Sequence, residues 1–276
     1  MVEAPDTSVS SRSDWRDPRS YDHIGGLMRQ SLAWEFLRRN PDYRDAWSRQ
    51  DPGPAGELAV EGALRVLQLP ELPQHVAKWG LLYLEDPNKD AAEADLVWHP
   101  AVCPSVLPAN VVPPSADRSS DCVHLASLPT SATLFLGGDD EQHLLIGRPG
   151  HAVQLLCPER PRISSDAIIR PEIHGCQALE PKFAALKSLA ELRRRAHPTM
   201  RVRLPRYVRM LPQILGALDG SLAGASQRDI AARIFGPSTV EQEWRTDSDY
   251  LRARVRRLIR KGQELMTSGY RRLLKD

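Results

Sequence analysis

The chain has no long apolar run. None of its 276 residues lies in a stretch approaching the roughly 18 apolar positions of a membrane-spanning helix. Its opening, MVEAPDTSVSSRSD, lacks the apolar segment of a secretory signal. Cysteine is scarce too: Cys103, Cys122, Cys157 and Cys176 are widely spaced, and no two form a CxxC pair. A disulfide scaffold is therefore not expected, and the thiols read as those of a reduced, cytoplasmic protein. Catalytic signatures are missing as well. There is no GxGxxG, GxxxxGK, GxSxG or HExxH, so an enzyme, a bound cofactor and a resident metal are all outside expectation. Cys122-Val-His124 and His174-Gly-Cys176 lack the pair spacing of a zinc knuckle. Gly25-Gly26 and Gly137-Gly138 read as turns or helix breaks. Asp139, Asp140 and Glu141, with His143, read as a solvated hairpin tip rather than an acid/base cluster.

Basic charge is present in force, but it is unevenly placed. The totals, 37 basic and 35 acidic, nearly cancel. Residues 1–50 are neutral, residues 51–180 carry a net charge of −10, and residues 181–276 carry +12. Of the 21 basic residues in that last segment, 17 are arginine. Arginine forks onto phosphate and base edges where lysine offers only a point charge, so a polyanion partner at the C-terminal end is implied.

Along the chain, residues 1–13 read as a disordered lead and residues 14–50 as a helical module. In that module Leu27, Met28, Ser31, Leu32 and Phe36 share one helical face, and Asn40-Pro41 stops the helix. The sequence DPGPAGE (51–57) reads as a linker. A central α/β region follows over 58–180. In it a helix is expected to end near Glu85, with a short Ala-rich helix running up to Trp98. The runs CVHLASL, ATLFLGG, HLLIG and AVQLLC are of strand length, and their close spacing predicts an antiparallel meander. Another helix is expected from about Pro181 to Arg195, with Phe183, Leu186, Leu189 and Ala190 as its apolar stripe.

Residues 181–276 hold the densest signals. A first helix places Leu211, Ile214, Leu215 and Leu218 inward. Ser226 caps a second helix, with Asp229 three residues on in a capping-box arrangement. Ile230, Ala231, Ile234 and Phe235 face its core, and Gly236-Pro237 ends it. The stretch STVEQEWRTDSD is longer than a minimal helix-turn-helix turn and is expected to hold a helical turn that buries Trp244. Asp247 or Ser248 then caps a third helix. Its apolar positions Leu251, Val255, Leu258, Ile259, Gly262 and Leu265 make one stripe. Arg252, Arg256 and Arg260 form one basic row; Arg254, Arg257 and Lys261 form another. No acidic residue interrupts from Tyr250 to Gln263. An ordinary exposed helix mixes signs to gain ion pairs, whereas a single-sign face is eased by phosphate. Arg252 and Arg256 are best placed for base edges. Arg254, Arg257, Arg260 and Lys261, with Ser248 near the cap and Arg228 on the second helix, complete the expected DNA contacts. Packing of the basic helix against the acidic middle region is the competing explanation, and the two could coexist as autoinhibition. RNA binding is disfavoured, because RNA readers usually offer exposed aromatics for stacking.

These residues resemble a known family. GALDGSLAGASQRDIAARIFG, then Trp244, then LRARVRRLIRKGQELMTSGYRRLL, is similar to the C-terminal DNA-binding domain of RovC/FseA-type proteobacterial transcriptional activators. SDWRDPRSYDHIGGLMRQSLAWEFLRRNPDYRDAW resembles the transcriptional-regulator-like domain that often precedes it, and KWGLLYLEDPNKDAAEADLVWHP also fits. The resemblance implies activation of genes for integrative conjugative elements or type VI secretion. It also implies assembly into homo-oligomers on promoter double-stranded DNA. RNA polymerase or a small anti-activator relative are further implied partners, and no membrane partner is. The expected fold is α+β: an N-terminal helical module, a central antiparallel β meander with helices, and a C-terminal helix-turn-helix-like helical domain. The competing function is an anti-activator that sequesters a related activator by helix packing.

Overall fold

The computed structural model describes residues 14–49, 56–70, 77–113, 121–137, 141–158, 160–195, 208–244 and 250–275. Its described residues fall into two units. One combines residues up to Gly26 with those from 208 to Thr267; the other combines Leu27 to residue 195 with Ser268 to residue 275. The chain thus changes unit between Gly26 and Leu27, inside the stretch that reads as a single N-terminal module in the sequence.

The larger unit is built on eight strands: β1 (Glu57–Glu61), β2 (Leu64–Gln68), β3 (Leu107–Val112), β4 (Val123–His124), β5 (Ala132–Leu136), β6 (Gln142–Ile146), β7 (Val153–Cys157) and β8 (Ile168–Pro171). They form one sheet in the order β1-β2-β5-β6-β7-β3-β8-β4. The meander is there: β5 pairs antiparallel with β6, and β6 with β7. The sheet as a whole is mixed rather than antiparallel, because β2 pairs parallel with β5 and β3 parallel with β7. Parallel neighbours need long crossovers, and the segments between these strands are far longer than a hairpin turn. CVHLASL contributes only the two-residue β4, which pairs with β8 at the opposite edge from β1.

Every residue of β6 is buried, as expected of a central strand covered on both faces. On one face Leu144 and Ile146 join Val66, Leu134 and Val153 beneath α3 (Leu179–Arg194), which contributes Ala185, Leu189 and Leu192. On the other, Leu145 packs with Leu67, Tyr83, Val97 and Phe135. The face of α3 differs from the expected stripe. Pro181 is buried, so the inward line runs through Ala185, Ser188, Leu189 and Leu192, and Phe183 is left 53% exposed. His143 is also displaced from expectation. It lies within β6 with 2% exposure rather than at a solvated tip, and Asp139 and Asp140 lie outside the described residues. The Nδ1 of His143 is 3.3 Å from Gln154 Nε2. Burial, with a smaller contribution from His99, pushes its pKa down to about 4.

The helices expected over 74–98 are absent from the described residues 78–98, which form turns and bends with a single β-bridge, Leu81 to Trp98. Two buried carboxylates explain why. Glu85 accepts the backbone N–H of Asp86 (2.8 Å) and of Asp95 (3.0 Å), the Tyr83 hydroxyl (3.1 Å) and Lys89 Nζ (3.0 Å). Glu35, on α1 (Arg29–Leu37), accepts the N–H of Ala91 at 2.8 Å and pairs with Arg38 and Arg39, each at 2.8 Å. Burial alone would raise the Glu35 pKa, but the two guanidiniums hold it at about 2. Backbone N–H groups spent on carboxylates are not available for helical bonds. The helix α1 is buried all round and is followed by α2 (Pro41–Ser48), whose Asn40 cap accepts from the N–H of Asp42 (2.8 Å) and Tyr43 (3.3 Å). Trp34, Tyr43 and Trp79 meet edge to face at 5.5 and 5.4 Å. The short C-terminal helix α8 (Tyr270–Lys275) packs on α1, and its Tyr270 hydroxyl donates to the Trp79 carbonyl at 3.0 Å.

Candidate nucleic-acid interface

The smaller unit is helical. Its helices are α4 (Leu211–Leu222), α5 (Gln227–Phe235), α6 (Pro237–Glu243) and α7 (Tyr250–Glu264), preceded in sequence by a 3-10 segment at Pro18–Gly26. Leu211, Ile214, Leu215 and Leu218 of α4 are all buried. Ser226 caps α5 as its sequence implies: its hydroxyl oxygen accepts the Asp229 N–H at 3.2 Å, and its O–H donates to Asp229 Oδ2 at 2.7 Å. Ile230 and Ala231 are fully buried, while Ile234 and Phe235 are only half-buried.

Gly236, at φ +91°, ends α5 and opens α6 with Pro237 at its first position. A left-handed turn of this kind favours glycine. The stretch after α5 therefore holds a two-turn helix, not a single turn. Trp244 is half-buried rather than buried, and Val240 is the α6 residue that enters the core.

The helix α7 separates its two chemistries cleanly. Leu251, Val255, Leu258 and Gly262 are buried at i, i+4, i+7 and i+11, and they pack against α4 and α5. Gly262 lets the helices touch: a Cβ there would lie 2.9 Å from Leu218 Cβ and 3.2 Å from the Ile214 carbonyl oxygen. Arg252, Arg256, Arg257, Arg260 and Lys261 are exposed. Lys261 pairs with Glu264 at 3.1 Å, so its charge is partly answered within the helix. Arg254 is half-buried, with its Cζ 4.7 Å from the centre of the Phe235 ring. Arg228 is exposed in the first turn of α5. Ser248 lies outside the described residues. Beyond Glu264 the helix widens into a π-turn at Leu265–Gly269, and the chain leaves the smaller unit within it, after Thr267. The Thr267 hydroxyl donates to the Gln263 carbonyl at 3.0 Å, consistent with a loosened ladder at a π-bulge.

Residues that the sequence does not single out complete this unit. Tyr21, in the 3-10 segment, donates its hydroxyl to Asp219 Oδ2 at 2.6 Å. The Arg233 guanidinium lies 4.8 Å from the Tyr21 ring centre, over Gly216, where any Cβ would collide with it. Burial lowers the Arg233 pKa, and its Nε is buried without a hydrogen-bond partner. Trp15 meets Gly220, where a Cβ would lie 3.1 Å from its ring. The contacts made by Trp15 and Tyr21 join residues about two hundred positions apart, and no local pattern announces them.

Among the described residues, no group of three His, Cys, Asp or Glu side chains is placed to hold a metal ion. No helix among them is long and apolar enough to cross a membrane. No curated protein matches the chain. Two family models do. Residues 14–84 match the proteobacterial transcriptional regulator-like domain, and residues 176–275 match the T6SS transcription factor DNA-binding domain of the RovC type. The second match spans α3 to α8, including the basic face of α7 and the Ser226 cap. The two ends of the chain thus match, in that order, a proteobacterial transcriptional regulator-like domain and a RovC-type DNA-binding domain.

Proposed function

We propose that the chain is a sequence-specific DNA-binding transcription activator that works as a homo-oligomer. The observation that carries this reading is α7: four buried positions on one side, and on the rest five exposed cations with no acidic residue between Tyr250 and Gln263. Like charges on one helix repel, and counterion release on phosphate turns that repulsion into affinity. In this reading α5 and α7 act in helix-turn-helix fashion. Arg252 and Arg256, near the start of α7, reach base edges. Arg257, Arg260, Lys261 and Arg228 hold the phosphate backbone and set register. The description of the matched family supports target genes in type VI secretion, and the resemblance of the chain adds conjugative-element excision and transfer. Homo-oligomer formation, and contact with RNA polymerase or a small anti-activator relative, belong to the same reading.

The test is a promoter footprint across a salt series with Arg252→Ala and Arg256→Ala. Both side chains are exposed, so thermal midpoints should stay within a degree or two of wild type. The site-specific footprint should vanish while weak, steeply salt-dependent binding remains. Footprints from both variants that match wild type would refute the assignment.

A further inference from the structure

One arginine of α7 is held differently from the rest. Arg252, Arg256, Arg257 and Arg260 are exposed, whereas Arg254 is half-buried with its guanidinium carbon 4.7 Å from the centre of the Phe235 ring. Phe235 is the last residue of α5, and Gly236 turns the chain immediately after it. Ile230 and Ala231, both fully buried, anchor the helix behind it. The ring thus sits at a helix end, with the Arg254 guanidinium lying over it. Stacking covers a face of the guanidinium but leaves its N–H donors free in its plane. A side chain already held in one place loses less freedom when it binds.

Resting on the DNA-binding reading above, we propose that Phe235 is a positioning residue that holds Arg254 as a preorganised reader of one guanine. The in-plane fork of a stacked arginine matches the O6 and N7 acceptors that guanine presents in the major groove, a match a lysine cannot make. Arg257 and Arg260, exposed on the same helix, suit the phosphate backbone instead. Phe235 itself touches no base; it acts through Arg254.

The experiment uses the full chain and a panel of duplexes carrying each single base-pair substitution of its selected binding site. Three variants are compared with wild type: Phe235→Leu, which keeps bulk but loses the ring; Phe235→Tyr, which keeps the ring; and Arg254→Lys, which keeps charge but loses the fork. Wild type should discriminate at one G·C pair by about 5- to 150-fold, the span of a good bidentate contact. Arg254→Lys and Phe235→Leu should flatten that one position to within about 3-fold, with the salt slope unchanged, and Phe235→Tyr should restore it. A uniform loss across every duplex, or full discrimination retained by Arg254→Lys, overturns the proposal. If those variants behave as wild type while Arg252→Ala and Arg256→Ala abolish the footprint, only this inference falls. Wild-type protein with no preferred site would overturn the DNA-reading assignment as well.

Discussion

Gly262 offers the sharpest test of how α7 is seated. An alanine in mid-helix normally stabilises relative to glycine by up to about 1 kcal/mol, so propensity alone predicts a gain from Gly262→Ala. The structure predicts the opposite. The added Cβ would sit 2.9 Å from Leu218 Cβ and 3.2 Å from the Ile214 carbonyl oxygen, well inside the ~3.5–4.0 Å of ordinary carbon contact. Neither atom is the mobile end of a side chain, so α7 and α4 must separate. Overpacking of this kind costs about 1–3 kcal/mol. Set against the propensity gain, the net loss should be about 1–2 kcal/mol, which in a domain of this size lowers the thermal midpoint by roughly 5–10 °C. The assay is thermal unfolding followed by circular dichroism, with Gln263→Ala, exposed on the next position of the same helix, as a control expected to stay within about 0.5 kcal/mol. Below its transition the Gly262→Ala variant should still bind DNA, because the arginines point away from the crossing. A raised midpoint would mean that α7 does not approach α4 through this glycine, and the assignment of its buried stripe would fail.

Two further outcomes follow from buried polar groups. Tyr21→Phe deletes the 2.6 Å bond to Asp219; a hydrogen bond to a carboxylate contributes about 1.5–3 kcal/mol, so denaturant titration should show a loss of that order, and no change would mean that the 3-10 segment does not anchor the helical unit. Stability of the sheet-bearing unit should fall as pH is lowered from about 6.5 towards 4: the unfolded state protonates His143 at its ordinary value, the folded state resists until about 4, and that interval is worth about 2–3 kcal/mol. Glu141, exposed and 3.5 Å from the ring, would offset part of it. In chemical denaturation across that range, His143→Gln should show a shallower fall, and an equal fall would assign the acid sensitivity elsewhere.

The helical unit was largely legible from its sequence, and the sheet only in part. Periodicity located the buried line of α7, and the Ser226 cap and the Gly236 stop were written in residue types that have few other uses. The meander β5–β6–β7 was visible because its strands are neighbours in sequence. What stayed hidden depends on distant partners. Residues 78–98 look helical until Glu35 and Glu85 take their backbone N–H groups. The parallel pairings β2–β5 and β3–β7 join strands with no local sign of one another. His143 reads as a turn residue because its neighbours are acidic, but the strand period places it inside. At the candidate interface, the exposed cations could be read off the helix; the Arg254–Phe235 stack could not, since it depends on where α5 ends against α7.

The interleaving of the two ends of the chain has a consequence in time. The helical unit contains residues 14–26 and 208–267, and the sheet-bearing unit contains residues 27–195 and 268–275. Translation proceeds at about 5–20 residues per second, so Tyr21 leaves the ribosome roughly 10–40 s before Asp219 exists to receive its hydroxyl. For the same reason α1 waits for Tyr270. Both units therefore wait for residues made late: the helical unit for those up to Thr267, the sheet-bearing unit for those from Ser268 onward. A chain cut before α7 lacks both the helix that packs on α4 and α5 and the Tyr270 that donates to Trp79, so both units are left incomplete. Premature termination therefore leaves both units unfinished rather than one intact and one missing.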